Sequence, residues 1–367
     1  MIEPQWKSKQ PVVYGVCWWN HKSIKGILEN SRFTPQIAKS FPQALKDAHR
    51  KGGCIIGWAS RITSEHEAAC QSANVPLLRV EDGFLRSVGL GAGLAPAASL
   101  VIDQRGIYYD ANRASDLEWL LEHAELDDEQ RACGENLRKK IIESRISKYN
   151  FGQSLKGIDL PNNREKLLVP GQVGDDAAIV NTLSSSVNIK GVENINVELL
   201  KTVRKNNPNA YIIYKPHPDV VTNLRNGRMA VETALCYADQ IVSSVDIIDL
   251  IDACDRVETL SSLSGFESLL RGKDVTVHGL PFYAGWGLTT DTTSCARRTK
   301  KRSIDELVYL SLVAYSNYVD PVTFQPSTAA AVIDSLSALK KSRMRKITST
   351  TRLYAARIGE MLRVRTH

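Results

Sequence analysis

Short apolar segments that alternate with polar, helix-compatible segments constrain the fold of this chain more than any other feature. In the first half, the strand-like segments are residues 12–19, 54–59 and 77–80. The alternation begins again near residue 166, after a polar stretch with linker composition. Because alternating strands and helices form parallel sheets covered by helices, two such series predict an α/β protein with two doubly wound, Rossmann-like domains. We expect ligands to bind in the cleft between the domains, at the carboxyl ends of the strands.

Individual elements follow from the same patterns. Segments 99–103 and 107–109 predict a hairpin around Gln104-Arg105-Gly106, and Ser115 predicts a helix N-cap. Further helices are predicted at 127–147, 197–206, 246–254, 265–272, 303–315 and 328–345, and further strands at 166–169, 210–214, 256–260 and 275–277. The predicted domains are an N-terminal domain (1–151), a second domain (152–327), and a C-terminal helix with a basic tail (328–367).

Composition restricts the class of protein. The chain has 367 residues, of which 43% are hydrophobic, and this is enough for two cores. Its seven cysteines are scattered without a Cys-x-x-Cys pair, which predicts neither a disulfide framework nor a metal site and favours the reducing cytoplasm. The sequence contains no run of about 18 apolar residues, and its N-terminus lacks the character of a signal peptide.

The C-terminal tail is strongly basic. Residues 340–367 contain nine Lys or Arg and one acid, while the whole chain has a net charge of +7. Because apolar residues are interleaved with these charges, the tail is predicted to contact an anionic membrane surface; a solvated helix without a partner is the alternative. Nucleic acid is not an expected partner, since the tail holds a single aromatic residue and the chain has no nucleic-acid-binding motif.

A serine-rich turn forms one candidate site. The predicted strand 256–260 runs into Ser261-Ser262-Leu263-Ser264-Gly265 and then into a helix. The hydroxyls and the free amides of the helix N-terminus suit a phosphate, and Gly265 allows a ligand to approach the backbone closely. Glu267 suits the hydroxyls of a ribose. A capped helix without a ligand shows the same pattern.

Charged residues follow three other strands. Lys215 and His217 lie in a loop stiffened by two prolines, where both can stabilise a departing phosphate and the histidine can instead donate a proton. Asp175 and Asp176 are suited to act as base or nucleophile, with a helix cap as the alternative. The motif Glu81-Asp82-Gly83 ends a strand and is either a further acidic site or a surface turn.

Seven motifs, taken in order, carry a family resemblance. They are EDGFLRS (81–87), DQRGIYYD (103–110), SKYN (147–150), VPGQVGDD (169–176), YKPHPDV (214–220), SLSGFE (262–267) and GLPFYAGWGLT (279–289). Together they resemble the capsular polysaccharide synthesis family of retaining β-Kdo transferases, most closely the C-terminal module of KpsC, over roughly residues 12–325. Some of these motifs also resemble the shorter signatures of bacterial sialyltransferases.

The resemblance implies a GT-B fold and the transfer of the sugar acid Kdo from CMP-β-Kdo to a Kdo-terminated glycolipid, at the cytoplasmic face of the inner membrane. It implies retention through a covalent adduct on Asp176, with Glu81 or Asp82 as the base that deprotonates the acceptor. The implied substrate-binding residues are Arg86, Gln172, Lys215, His217, Ser262, Ser264, Gly265 and Glu267. Neither a metal nor a cofactor is implied, because these donors can stabilise the departing CMP.

Two departures from the family pattern alter what we expect. Ala178 stands where related sequences often have serine, which weakens any role for a hydroxyl there. KpsC joins two modules and this chain holds one, so we expect it to form a single linkage type, to be a fragment, or to act with other capsule synthesis proteins. The alternative functions are transfer of another CMP-activated keto sugar acid, such as sialic acid, and a non-catalytic role in capsule assembly.

Overall fold

The computed structural model describes residues 5–29, 32–89, 94–150, 152–155, 158–221 and 229–342. The basic tail predicted for residues 340–367 therefore lies almost entirely outside the described residues. Within the described ranges, no helix is long and apolar enough to cross a membrane.

Thirteen strands are described. They are β1 Pro11–Tyr14, β2 Gln36–Ala38, β3 Cys54–Trp58, β4 Leu77–Asp82, β5 Ser99–Asp103, β6 Lys166–Pro170, β7 Tyr211–Lys215, β8 Gln240–Ile241, β9 Arg256–Thr259, β10 Asp274–Val277, β11 Thr290–Asp291, β12 Ser316–Val319 and β13 Pro326–Ser327.

The α-helices of the described residues are α1 His21–Leu28, α2 Phe41–Arg50, α3 Ser64–Ser72, α4 Asp116–His123, α5 Asp128–Glu143, α6 Ala177–Val180, α7 Ile195–Asn206, α8 Pro218–Val221, α9 Val231–Leu235, α10 Ile247–Ala253, α11 Leu263–Leu270, α12 Ile304–Val308 and α13 Ala329–Lys341. A π-helix, Tyr309–Ala314, continues α12. Short 3₁₀ helices cover Gln5–Ser8, Trp18–Asn20 and Ala59–Arg61.

These strands form two sheets. The first has the order β13-β12-β5-β4-β3-β1-β2, and the second has the order β11-β10-β9-β6-β7-β8. All pairings in the second sheet are parallel. The first sheet is parallel from β2 to β4 and antiparallel from β4 through β5 and β12 to β13. The α/β architecture with two sheets and a cleft, predicted from the sequence, is confirmed.

The central strands of the second sheet are buried on both faces. Leu167 of β6 and Ile212 of β7 pack with α7 in one apolar cluster, while the next residues, Leu168 and Ile213, pack in the cluster on the opposite face. Because successive side chains of a strand point to opposite faces, a nearly continuous apolar run is what a sheet with helices on both sides requires.

The end of the chain returns to the first sheet. Strand β12 pairs antiparallel with β5, at Ser316↔Val101 and Tyr318↔Ser99, and β13 extends the sheet beyond it. Segment 316–327, which the sequence prediction placed in the second domain, thus contributes strands to the first sheet. Neither short strand was predicted, because the pattern of the preceding helix runs into the first of them without a turn signal.

The hairpin predicted around Gln104-Arg105-Gly106 is wrong. Residues after β5 form a turn, and β5 pairs with β4 and β12 instead. The buried Asp103 carboxylate organises this turn, since it accepts hydrogen bonds from the backbone N–H groups of Arg105, Gly106 and Asp116 at 2.8–2.9 Å. A side chain therefore satisfies the donors that a second strand would otherwise have paired.

A buried ion pair joins helix α4 to the segment that precedes helix α12. Glu118 of α4 accepts hydrogen bonds from Arg297 at 2.6 Å and from Arg298 at 2.9 Å. The side chains of Glu118 and Arg298 are only 6% and 3% exposed, so removal of the Glu118 carboxylate leaves Arg298 buried without its counter-ion.

We predict that Glu118→Ala lowers the free energy of unfolding by about 3 kcal/mol, because the buried Arg298 loses its carboxylate partner. Urea denaturation followed by circular dichroism measures this loss. The matched control is Glu125→Ala, which removes a carboxylate that is 82% exposed and paired with Lys300. The loss of stability in this control is expected to be much smaller than in Glu118→Ala, because solvent screens an exposed ion pair. Equal losses for the two variants would contradict the assignment.

Candidate active site

The carboxyl ends of β4, β6, β7 and β9 open on one cleft of about 780 Å³. Residues from both sheets line it. The sequence-predicted site residues that it brings together are Glu81, Asp82, Arg86, Gln172, Asp176, Lys215, His217, Ser262, Ser264 and Glu267. Among the described residues there is no group of three or more His, Cys, Asp or Glu side chains that could hold a metal ion.

The two acids that end β4 have different environments. Asp82 accepts a hydrogen bond of 2.6 Å from Arg86 Nε, which fixes it as a charged partner of that guanidinium. The Glu81 carboxylate instead accepts the backbone N–H of Asp82 at 3.0 Å. Burial, and then the charge of Asp82, raise the pKa of Glu81 to about 8. The protonation of Glu81 therefore changes slightly above neutral pH.

Arg86 is almost fully buried and is held by the first domain. In addition to Asp82, it donates from Nη1 to Ser87 Oγ at 3.0 Å and to the backbone oxygen of Ala95 at 2.9 Å. The sequence suggested Arg86 as a ligand-binding cation. Its contacts show that it orients Asp82 and ties the motif to the following loop.

Asp176 is the N-cap of α6. Its carboxylate accepts the backbone N–H of Ala178 at 3.0 Å, and the residue is half-buried at the wall of the cleft. Capping and cleft exposure occur together, because one carboxylate oxygen is sufficient for the cap and a carboxylate has two. The neighbouring Asp175 is exposed.

The Gln172 side chain holds the serine-rich turn by a hydrogen bond. Its side-chain oxygen accepts the backbone N–H of Ser261 at 3.0 Å, and its backbone is paired twice with the Asn196 side chain. Ser262 caps α11 by accepting the N–H of Ser264 at 3.2 Å. The first turn of this eight-residue helix thus faces the cleft with its start fixed.

Gly265 has a different role from the one predicted. A Cβ atom at this position would lie 2.3 Å from the hydroxyl oxygen of Tyr283, so the space beside Gly265 is occupied by that phenol rather than by a ligand. The same hydroxyl donates to the backbone oxygen of Ser262 at 2.5 Å. The hypothesis that Gly265 admits a ligand to the backbone is therefore wrong, and the glycine admits Tyr283, which holds the turn.

Lys215 and His217 lie after β7, as predicted. Lys215 is buried and donates to the backbone oxygen of Ser243 at 3.3 Å, and burial lowers its pKa to about 8 against the opposing charge of Asp246. The His217 ring accepts the backbone N–H of Asp219 at Nδ1, at 3.2 Å. A neutral ring in this arrangement carries its proton on Nε2, which leaves that atom as a donor.

The turn of residues 147–150, to which the sequence assigned no role, joins the two sides of the cleft. Ser87 N donates to the Lys148 carbonyl, and the Asn150 side chain donates to the Ser87 carbonyl. On the other side, Lys148 N donates to Glu267 Oε1 at 2.8 Å. Burial raises the pKa of Glu267 to about 7. The signal that could have found this turn was the SKYN motif, which was recognised without a function.

The Lys148 side chain also lines the cleft. Its ammonium lies 5.4 Å from the centre of the Tyr149 ring. Burial opposes the charged form, but the neighbouring tyrosines and the carboxylates of Asp82 and Asp176 outweigh it, so the pKa of Lys148 lies above its ordinary value.

Solved structures share this architecture. A KpsC β-Kdo 2,7-transferase from Thermosulfurimonas dismutans matches 91% of this chain and 100% of its own length with a TM-score of 0.73 and 33% identity. A KpsC β-Kdo 2,4-transferase from the same organism matches 90% and 98% with a TM-score of 0.75 and 31% identity. The chain thus shares the fold of these transferases and is GT-B-like, as predicted.

Sequence relatives identify the family. A model of capsule polysaccharide biosynthesis proteins matches residues 53–155 and 136–321. The capsule polysaccharide modification protein LipA of Neisseria meningitidis serogroup B is 42% identical over 298 residues, which are 78% of this chain and 40% of LipA. The lipopolysaccharide-processing protein LpsZ of Rhizobium meliloti is 41% identical over 253 residues, which are 67% of this chain and 55% of LpsZ. The chain belongs to the capsule polysaccharide biosynthesis protein family and spans about half or less of these relatives.

We predict that Gly265→Ala destabilises the fold by about 1–3 kcal/mol, because the new methyl group displaces the Tyr283 phenol. The matched control is Gly174→Ala in the loop between β6 and α6, where a Cβ atom would meet only Ile195 at 3.8 Å. That change is expected to be neutral or slightly stabilising. Chemical denaturation of both variants measures the difference, and equal stabilities would contradict the role of Tyr283.

Proposed function

We propose that this protein is a retaining glycosyltransferase that moves Kdo from CMP-β-Kdo to a Kdo-terminated glycolipid acceptor in capsule biosynthesis. The observation that carries the proposal is the meeting of two sets of groups in one cleft. Carboxylates suited to covalent and base catalysis, Asp176 and Glu81, face cationic and hydroxyl donors suited to a nucleotide phosphate. The Kdo transferase activities of the two KpsC structures support the same conclusion.

In the first step, an oxygen of Asp176 attacks the anomeric carbon of the donor. The bond from that carbon to the phosphate oxygen breaks, and its electron pair leaves with CMP. Lys215, the Nε2 hydrogen of His217 and the hydroxyls of Ser262 and Ser264 stabilise the charge that develops on the phosphate. The buried Glu267 accepts a hydrogen bond from the ribose. No proton has to be transferred in this step.

In the second step, the acceptor hydroxyl attacks the same carbon of the sugar adduct. Glu81 takes the hydroxyl proton, and the bond to Asp176 breaks with return of its electron pair to the carboxylate. Two displacements at one carbon restore the original configuration, so the product retains the configuration of the donor. We assign the base to Glu81 because Asp82 is fixed by Arg86.

The acceptor also determines where the protein acts. A glycolipid acceptor requires access to the membrane surface, and the basic residues beyond residue 342 supply charge for a peripheral contact at the cytoplasmic face of the inner membrane. Other capsule synthesis proteins are the expected partners, since the related KpsC has both a 2,4- and a 2,7-transferase.

The direct test is incubation of the protein with CMP-Kdo, generated in situ, and a synthetic Kdo-terminated acceptor. We expect one new linkage with retained configuration, which NMR identifies. Product from a CMP-sialic acid donor and none from CMP-Kdo would favour the sialyltransferase-like function. The absence of CMP release from every donor would favour a non-catalytic assembly role.

We predict that Asp176→Asn lowers transfer by about 10³-fold or more, while CMP still binds. Asparagine keeps the helix cap but cannot form the sugar ester, so the fold is retained. Mass spectrometry of the intact wild-type protein with CMP-Kdo should show one added sugar acid, and the variant should show none. Asp175→Asn is the matched control and is expected to lose less than about 10-fold. Full activity in Asp176→Asn would rule out the covalent mechanism.

We predict that kcat/KM for the acceptor rises with pH through about 8. The raised pKa of Glu81 means that the carboxylate needed as base is protonated below this value and becomes available above it. Glu81→Gln should remove this rising limb and lower transfer by about 10²- to 10⁴-fold without loss of the sugar adduct. A profile for the wild type that is flat between about pH 6 and about pH 9 would count against Glu81 as the base.

A further inference from the structure

The proposed donor brings an unusual charge to the reacting centre. In a 2-keto sugar acid the carboxylate is attached directly to the anomeric carbon. When Asp176 approaches that carbon, its carboxylate comes close to the carboxylate of the sugar and to the negatively charged phosphate. Like charges this close repel strongly in a partly buried site, so a cation must lie beside the nucleophile.

Among the described residues, the lysines and arginines that line the cleft are already engaged, with one exception. Arg79 and Arg113 both donate to the carboxylate of Glu67. Arg86 is held by Asp82 and Ala95, and Lys215 lies on the phosphate side, bonded to Ser243. These side chains are therefore not positioned to compensate a second carboxylate beside Asp176.

Lys148 is the exception. Among the residues that the structure describes, its ammonium has no hydrogen bond or ion pair, and its contact is the face of the Tyr149 ring. The backbone of Lys148 is fixed on both sides, by Glu267 and by Ser87. The side chain thus stands in the cleft on a rigid turn, close enough to Asp82 and Asp176 for their charges to act on it.

We propose that the Lys148 ammonium binds the carboxylate of the donor sugar and thereby selects 2-keto sugar acids over neutral sugars. This assignment rests on the function proposed above. The turn places one cation in the cleft that Asp176 and the acceptor-side acids also line, where it offsets the repulsion between Asp176 and the incoming carboxylate. The aromatic face of Tyr149 limits the movement of the ammonium and leaves its N–H groups available to bind a ligand.

The backbone and the side chain of Lys148 have separable roles, which makes the assignment testable. Lys148→Met keeps the length of the side chain and the backbone hydrogen bonds to Glu267 and Ser87 but removes the charge. We expect kcat/KM for CMP-Kdo to fall by about 10- to 100-fold, with the inhibition constant of CMP unchanged, because CMP has no sugar carboxylate. Lys148→Arg should recover most of the loss.

The same substitution at Lys139, on the exposed face of α5 and paired with Glu135, controls for the loss of one positive charge. Wild-type kcat/KM in Lys148→Met, or an equal loss of CMP and CMP-Kdo binding, would overturn the assignment, since the second result would show a structural role for the turn. A wild-type protein that binds CMP but turns over no CMP-Kdo would instead refute the proposed function, and the role of Lys148 with it.

Discussion

The hydrogen bonds around residues 147–150 hold the two sides of the cleft in a fixed relation. On one side they join Ser87, which follows the acidic motif of β4, and on the other they join Glu267 of α11. Aromatic packing reinforces this junction, since Phe84 lies 4.7 Å from Phe282 and 6.1 Å from Phe266 between ring centres. Groups from different sheets therefore keep the spacing that catalysis requires.

This junction also determines the electrostatics of the site. The turn that anchors Glu267 carries Lys148, so the positive charge near Asp176 and Asp82 is placed by the same backbone contacts that connect the domains. The charge of Asp82 is compensated by Arg86, which follows β4 in the same motif and donates a hydrogen bond to the Asp82 carboxylate. The pKa of Glu81 is raised first by burial and then by the charge of the neighbouring Asp82 carboxylate.

Much of this arrangement follows from local sequence patterns. The apolar runs of the central strands β6 and β7 predict buried parallel strands. The residues that follow these strands lie together at the carboxyl edge of the sheet, as expected for parallel strands. Contacts between residues far apart in the sequence were not predicted. Strand β12 joins β5 more than 200 residues earlier in the chain, and Asp103 replaces a predicted hairpin by capping a turn. Gly265 was assigned to a ligand because Tyr283 is remote in sequence.

The choice between Glu81 and Asp82 illustrates what side-chain contacts add to a motif. In the sequence the two acids are equivalent, because both end the same strand. Successive residues of a strand point to opposite sides, so neighbours with the same chemistry meet different surroundings. Asp82 is held by the Arg86 guanidinium, whereas Glu81 has no ion pair of this kind among the described residues, and burial raises its pKa to about 8. The two acids also influence each other, since the charge of Asp82 is, after burial, the second cause that raises the pKa of Glu81.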